Sequence, residues 1–387
     1  MRFHGTLILF ITLLLFCLSG QPVCSGGVSY QSPMRLADGI SVGSFNQIVN
    51  VGDTSEIMRL DSALADGRLH NVHSVLLYKD SVLVYEKYLC GKDERHGKKL
   101  GNVAHDVYTL HDMRSISKSV VAACIGIALQ RGVLKSVYEP IGDFFGGLPK
   151  EKAKITIHDL LTMSSGLSWK EVGLYGHLLN DETKMNISFY PLSFILRKQQ
   201  VHKPGTVWNY SAGNTQLLAA ILKVRTGLDI DSFARKYLFA PLGIQQTEWI
   251  RLFWKSDPAA ASGLRLTSRE LLKLGVLFEQ NGQYHNMQLI DKAWVDSCLT
   301  SHINRPDLSK LLLDNGGYGY QFWTYNYSRN NKWISIAEAK GNGGQSLFIC
   351  RDLHFVLVVT AGNYGQSAYN DIPGKILKDY ILPYVCQ

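Results

Sequence analysis

Ser115 and Lys118 stand three residues apart at the start of a long apolar run. On a helix, residues at i and i+3 share one face, one turn apart. A serine hydroxyl is a poor nucleophile at neutral pH unless a base lies within hydrogen-bond reach. A lysine can be that base where burial or nearby positive charge disfavours its ammonium form. The positive end of a helix is such a place. A helix built only for stability would carry Glu or Gln three residues after a capping Ser. Here a lysine takes that position, and a local rule broken at a helix entrance points to function. The four-residue pattern also arises by chance, so its surroundings decide its meaning.

Two further segments carry candidate chemistry. Tyr210 follows the turn Pro204-Gly205-Thr206-Val207-Trp208-Asn209 and precedes a Leu/Ala-rich run. A Tyr there either shuttles a proton beside a cation or staples the loop to the core. Lys340-Gly341-Asn342-Gly343-Gly344-Gln345 leads into a β-rich segment. Its glycines allow close approach of a ligand or of another backbone, and an N–H here could join that of Ser115 around an oxyanion. A plain glycine turn is the other reading. The segment Gly-Tyr-Gly-Tyr-Gln-Phe-Trp (317–323) offers Tyr318, Tyr320, Phe322 and Trp323 as a pocket wall or as core. Trp169 and Tyr175 stand in the same position. No Walker or dinucleotide fingerprint occurs. Neither CxxC nor HExxH is present, so no metal or cofactor is expected. His105, His111 and His158 lie near the motifs without a catalytic assignment.

The elements that must position these residues are readable in outline. Val72–Tyr78 and Ser81–Tyr88 predict a hairpin across Lys79-Asp80. Ser115 to Gln130 predicts a helix buried nearly all round, closed by Gly132. Helices are predicted at about 54–65, 157–163, 214–226, 230–239, 267–281, 291–300 and 370–384. Ile334–Ala337, Ser346–Cys350 and His354–Ala361 predict strands. Strands at both ends around a helical middle give an α+β fold: one antiparallel sheet flanked by helices, with a mainly helical lobe inserted at about 134–330.

The chain has 387 residues, 46% hydrophobic and 19% charged, which excludes a disordered or fibrous protein. Its formal charge of +8 raises nucleic acid as a partner. The nearest cluster, residues 91–99, mixes both signs, and no nucleic-acid-binding signature accompanies it. Nucleic acid is therefore not expected. Residues 1–25 have a signal-peptide layout: Arg2, an apolar stretch from Leu7 to Leu18, then Val23 and Ser25 at the −3 and −1 positions. That predicts a periplasmic or secreted protein with no stable membrane span after cleavage. Residues 26–53 read as an extended arm, and 54–387 as one catalytic domain.

The order of motifs resembles the class C β-lactamase-related serine hydrolases: Ser-x-x-Lys, then Thr-Ile-His-Asp-Leu-Leu-Thr-Met-Ser-Ser-Gly-Leu (156–167), then Pro-Gly-x-x-Trp-x-Tyr-Ser (204–211), then Gly-Asn-Gly-Gly-Gln (341–345). Pro241-Leu242-Gly243 and Ser262-Gly263-Leu264 also fit, and the likeness covers about residues 60–385. Arg114-Ser115-Ile116-Ser117-Lys118 and Met-Ser-Ser-Gly-Leu-Ser-Trp (163–169) lean toward the 6-aminohexanoate-dimer hydrolases, which cleave linear amides and often esters.

The resemblance implies that Ser115 is acylated, that Lys118 takes or steers its proton, and that Tyr210 acts as general base and then as acid. It implies an oxyanion hole from the N–H groups of Ser115 and Gln345. Asn342, Gly343, Gly344, Asn214 and Tyr320 are the expected substrate contacts, the substrate being a small amide, ester or peptide. Two departures stand out. The family's Tyr-x-Asn reads Tyr210-Ser211-Ala212 here, with Asn214 two residues on. The family's Lys-Thr-Gly or His-x-Gly reads Asn342-Gly343-Gly344, without the cation that helps bind the carboxylate of a β-lactam or D-Ala terminus. Amidase or esterase activity thus ranks above DD-peptidase or β-lactamase activity. Ala212 leaves open a non-catalytic, penicillin-binding-like sensor or binding domain.

Overall fold

The computed structural model describes residues 32–44, 55–171, 177–304, 314–329, 331–369 and 371–386. The expected signal peptide, part of the expected arm and Tyr175 lie outside the described residues. The strands are β1 (Val72–Lys79), β2 (Val82–Tyr88), β3 (Cys90–Arg95), β4 (Lys98–Ala104), β5 (His111–Asp112), β6 (Thr247–Trp249), β7 (Leu264–Leu266) and β8 (Gln283–Tyr284). After them come β9 (Met287–Gln288), β10 (Ile303–Asn304), β11 (Asp314–Tyr318), β12 (Trp323–Arg329), β13 (Lys332–Gly341), β14 (Gln345–Cys350) and β15 (Phe355–Ala361).

One eight-stranded sheet has the order β10-β11-β12-β13-β14-β15-β1-β2. Its strand pairs are antiparallel, and the C-terminal β15 lies beside the N-terminal β1, Val75 opposite Val359. The two ends of the chain therefore close one sheet, as the alternation of β-rich ends around a helical middle predicts. β1, β14 and β15 are buried along their whole length. They read as near-continuous apolar runs because both faces of the sheet are covered. The sheet resumes at Ile303, earlier than the expected lobe boundary near 330. Gly316, Gly317 and Gly319 break the apolar alternation around β11 and hide that strand from pattern reading.

Helix α1 (Ser55–Ala65) and the C-terminal helical turns pack on one face of the sheet. The larger core lies on the other face and includes helix α2 (Ile116–Gln130). All but the last turn of α2 is buried, since the sheet and the surrounding helices enclose it. Among the described residues no helix is long and apolar enough to cross a membrane. Residues 41–43 lie along β2, with Gly43 N–H donating to Leu83 O at 3.0 Å. A second hairpin, β3–β4, is absent from the sequence reading. Its Lys, Asp, Glu and Gly residues have low strand propensity. Cys90 is disulfide-bonded, while Cys124, Cys298 and Cys350 are buried free thiols.

Gly126 fixes how closely α2 meets the helix Lys292–Leu299. A Cβ at this position would run into the Trp294 ring, whose Nε1–H donates to Ala122 O at 3.1 Å. Gly126→Ala should destabilise the fold by about 1–3 kcal/mol through overpacking. Thermal unfolding measures this, and an unchanged midpoint would contradict the close contact.

Candidate active site

Ser115 is the N-cap of α2, yet its hydroxyl makes no cap hydrogen bond. It faces Lys118 instead, whose Nζ lies 3.0 Å from Ser115 Oγ. Lys118 is 1% exposed and also donates to Ala261 O at 3.1 Å. Arg114, immediately before, has φ +49°. A non-glycine residue in the left-handed region stores strain of about 1–3 kcal/mol. The Arg114 guanidinium pairs with Glu94, lies 3.4 Å from Asp112, and covers the Tyr364 ring at 4.8 Å. These contacts hold the strained turn that presents Ser115.

Tyr210 sits just before the helix Ala212–Thr226, which Ser211 caps by accepting from Asn214 N–H. Its ring is stacked on Trp323 at 5.8 Å and meets Tyr318 edge-on at 6.4 Å. Lys118 Nζ lies 4.9 Å from the Tyr210 ring centroid. Burial, with the Glu171 carboxylate second, pushes the Tyr210 phenol well above its ordinary value. The resting side chain is therefore a phenol, suited to donate a proton.

Glu171 is the residue that sequence reasoning missed. It is fully buried, and Oε2 accepts from Trp169 Nε1 at 2.6 Å and from Ala212 N at 2.7 Å. Oε1 has no hydrogen-bond partner and lies 3.9 Å from Lys118 Nζ. Burial first, then the charge of Glu182, pushes this carboxyl up to about 7, against the opposing pull of Lys118. Beside Ala212, where the family motif carries Asn, the polar group facing the lysine is thus a carboxylate. The only signal in the sequence is an acid two residues after Trp169.

Ser115 opens into a polar cavity of about 520 Å³. Glu94, His96, Arg114, Asn180, Glu182, Ser262, Asn342 and Tyr364 line it. Of the expected substrate contacts, only Asn342 is brought to this wall. Gly343 and Gly344 have φ +97° and +92° and seat the turn against Tyr364 and Ala361. Asn214 is fully buried, its Oδ1 accepting from Ser165 Oγ at 2.9 Å. Tyr320 is core: its hydroxyl is 2.8 Å from His158 Nδ1 and its ring is stacked on His302.

Gln345 enters the expectation through its backbone N–H. It is fully buried, pairs with Gly341 in the ladder, and spends its side-chain amide on Ala361 and Asn342 O. Its side chain does not line the cavity. Tyr318 and Trp323 wall Tyr210 rather than the cavity, and Phe322 packs on Phe278. Trp169 is buried and holds Glu171. Among the described residues one group could hold a metal: His73, Asp93, His105 and His111, with donor atoms all within 4.8 Å of one another. Burial first, then the neighbouring rings, drives His73 down to about 2. The sequence templates for metal sites are short contiguous motifs, and this group is spread over residues 73–111.

Glu171 yields a stability prediction. Its folded pKa lies above the ordinary value of 4.5, so the folded state binds more protons than the unfolded state. Stability from this group is complete below 4.5 and is lost as pH rises toward 7. Glu171→Gln keeps an acceptor for Trp169 and Ala212 but cannot ionise. Its melting temperature should fall less than that of the wild type across this window. Parallel melting curves in the two proteins would contradict the buried carboxylate.

No curated protein sequence matches the chain. A Bacillus anthracis protein assigned as a 6-aminohexanoate-dimer hydrolase is similar at TM-score 0.66 and 17% identity, over 92% of this chain and 87% of that one. EstCE1, a hydrolase with promiscuous acyltransferase activity, is similar at TM-score 0.66 and 15% identity, over 85% and 98%. The octameric penicillin-binding protein homologue from Pyrococcus abyssi is similar at TM-score 0.63 and 18% identity, over 84% and 76%. At such identities these likenesses show the shared fold. The beta-lactamase family model matches residues 63–373, from the end of α1 through the Ser115 turn and the β13–β14 hairpin, and the chain belongs to that family of serine hydrolases.

Proposed function

We propose that the chain is an exported serine hydrolase that cleaves a small amide or ester through an acyl-enzyme on Ser115. The observation that carries this reading is the buried Lys118 Nζ, 3.0 Å from Ser115 Oγ at the mouth of a cavity. Lys118, in its amine form, takes the proton of Ser115 Oγ as the oxygen attacks the substrate carbonyl. The oxyanion is received by the N–H groups of Ser115 and Gln345, the latter at the start of β14.

Collapse of the tetrahedral intermediate expels the amine or alkoxide. Tyr210 protonates that leaving group and regains a proton from Lys118. Water then attacks the acyl carbonyl with the same groups in reverse. Tyr210 is thus an acid first rather than the base the resemblance implies, since burial favours its phenol form.

Substrates ending in a carboxylate are less suited to this cavity. Asn342 is neutral, and Arg114 is already engaged by Glu94 and Asp112. Lys340 lies 3.8 Å from Glu338 and outside the lining. DD-peptidase and β-lactamase activities therefore rank lower. Ala212, fully buried where the family carries Asn, favours a second reading, a sensor that acylates once without turnover. The export reading rests on residues 1–25, and it predicts a mature chain that starts at Gly26.

A panel of chromogenic esters, anilides and a cephalosporin on the wild type, Ser115→Ala and Lys118→Ala tests the proposal. Continued release from an ester or anilide is expected, with losses in kcat of about 10³-fold or more in either variant. Turnover retained in Ser115→Ala sinks it, and a single stoichiometric burst points to the sensor. N-terminal sequencing of the secreted protein checks export, and an intact Met1 contradicts it.

A further inference from the structure

We propose that His73, Asp93, His105 and His111 bind one divalent transition-metal ion, with zinc the best match, behind the wall of the active-site cavity. The side chains of His105, Asp93 and His111 are at most 3% exposed, and His73 is fully buried. Their donor atoms span 2.8 Å (His73 Nδ1 to His111 Nε2), 3.3 Å (His105 Nε2 to Asp93 Oδ2) and 3.6 Å (His111 Nε2 to Asp93 Oδ1). A tetrahedral ion with bonds near 2.0–2.1 Å places its ligands about 3.3 Å apart, inside that spread.

The hydrogen-bond pattern fixes which ring nitrogens carry lone pairs. His105 Nδ1 lies 2.9 Å from Leu89 O, and His111 Nδ1 lies 3.3 Å from Asp112 O. A carbonyl oxygen only accepts, so each of these nitrogens carries the hydrogen. His73 Nε2 lies 3.4 Å from Asn71 Oδ1. The Asn71 amide is oriented by the backbone of Lys92, whose N–H donates to Oδ1 at 2.9 Å and whose carbonyl accepts from Nδ2 at 2.9 Å. Its oxygen therefore faces His73, and Nε2 carries the hydrogen there too.

With those tautomers all three rings aim their lone pairs at the space beside Asp93. Two of those lone pairs face each other across 2.8 Å. The arrangement is repulsive unless a cation lies between them, either a metal ion or a proton. Ligating histidines characteristically donate their other N–H to a carbonyl or carboxylate, and here each of the three does.

The surroundings are shaped for this group. Asp93 Oδ1 accepts from Glu94 N–H at 2.8 Å and from the Tyr364 hydroxyl at 3.1 Å. A Cβ at Gly91 or Gly362 would collide with Asn71 and His73, so both glycines make room for the ring and its support. A surface cavity of about 750 Å³ lined by Asn71, Gly91, Lys92, His105 and Gly362 gives an entry path. The ligands come from β1, β3, β5 and the residue after β4, so the ion would pin the β3–β4 hairpin to the strand that leads into Ser115. Three imidazoles and one carboxylate suit Zn²⁺ and disfavour Ca²⁺ or Mg²⁺, which take oxygen ligands.

The test uses the full secreted chain and Zn²⁺ alone. Elemental analysis should find one equivalent of metal per chain after purification in zinc-containing medium. Chelation should lower the melting temperature and added Zn²⁺ should restore it. Co²⁺ in place of Zn²⁺ should give the visible absorption of a four-coordinate site. His105→Gln, which keeps a side-chain donor within reach of Leu89 O, should bind Zn²⁺ at least about 100-fold more weakly. Asp93→Asn should weaken it likewise, and Ser115→Ala should bind as the wild type does, separating this site from the hydrolase reading. A folded wild type with no stoichiometric metal, and a melting temperature indifferent to chelator and Zn²⁺, overturns the proposal in favour of a shared proton.

Discussion

A lysine side chain that water barely reaches must have its amine answered by the protein, since an unanswered buried ammonium is costly. Lys118 is answered on three sides. Ala261 O accepts one hydrogen bond at 3.1 Å, Glu171 Oε1 stands 3.9 Å away, and the Tyr210 ring lies beneath at 4.9 Å. The fourth side is Ser115 Oγ. None of these groups comes from α2 beyond the Ser–Lys pair itself, so the chemistry requires the 159–171 segment, the Tyr210 turn and the 259–263 segment to be packed against one helix end. The burial of α2 makes that possible: a helix enclosed nearly all round has no freedom to tilt its first turn.

The sheet contributes by position rather than by side chains. Closing it through β15 and β1 brings the β13–β14 turn to the backbone just before Ser115. Gly341 meets Met113 O and the Arg114 side chain there, and a Cβ would not fit. The turn that carries Asn342 is thereby set across from the serine. On the opposite flank, the β3–β4 hairpin supplies Glu94 and His96 to the cavity. Hairpins of charged residues are poorly held by packing alone. The histidine–aspartate group at its base, and the Arg114–Glu94 pair at its edge, supply the missing restraint.

Local chemistry was legible in the sequence and side-chain destinations were not. Ser115, Lys118 and Tyr210 could be named because helix geometry and motif order constrain them. The strands around them showed as β-rich runs. Asn214 and Tyr320 went astray because a turn or a helix start changes side-chain direction within one residue. In the 317–323 segment, Tyr318 faces Tyr210 while Tyr320 turns toward His158 and His302. Glu171 and the His73–Asp93–His105–His111 group stayed hidden for a different reason. Each depends on contacts between distant segments, such as Glu171 with Ala212 and His73 with His111. Sequence spacing carries no trace of those contacts.

The central claim is that Ser115 becomes covalently acylated. Mass spectrometry of the full chain after brief exposure to an activated ester, quenched in acid and digested, tests it directly. The account predicts one acyl group per chain, on the peptide containing Ser115, that disappears with time as hydrolysis completes. An acyl group on any other residue, or steady product release with Ser115 unmodified at every time point, would contradict it.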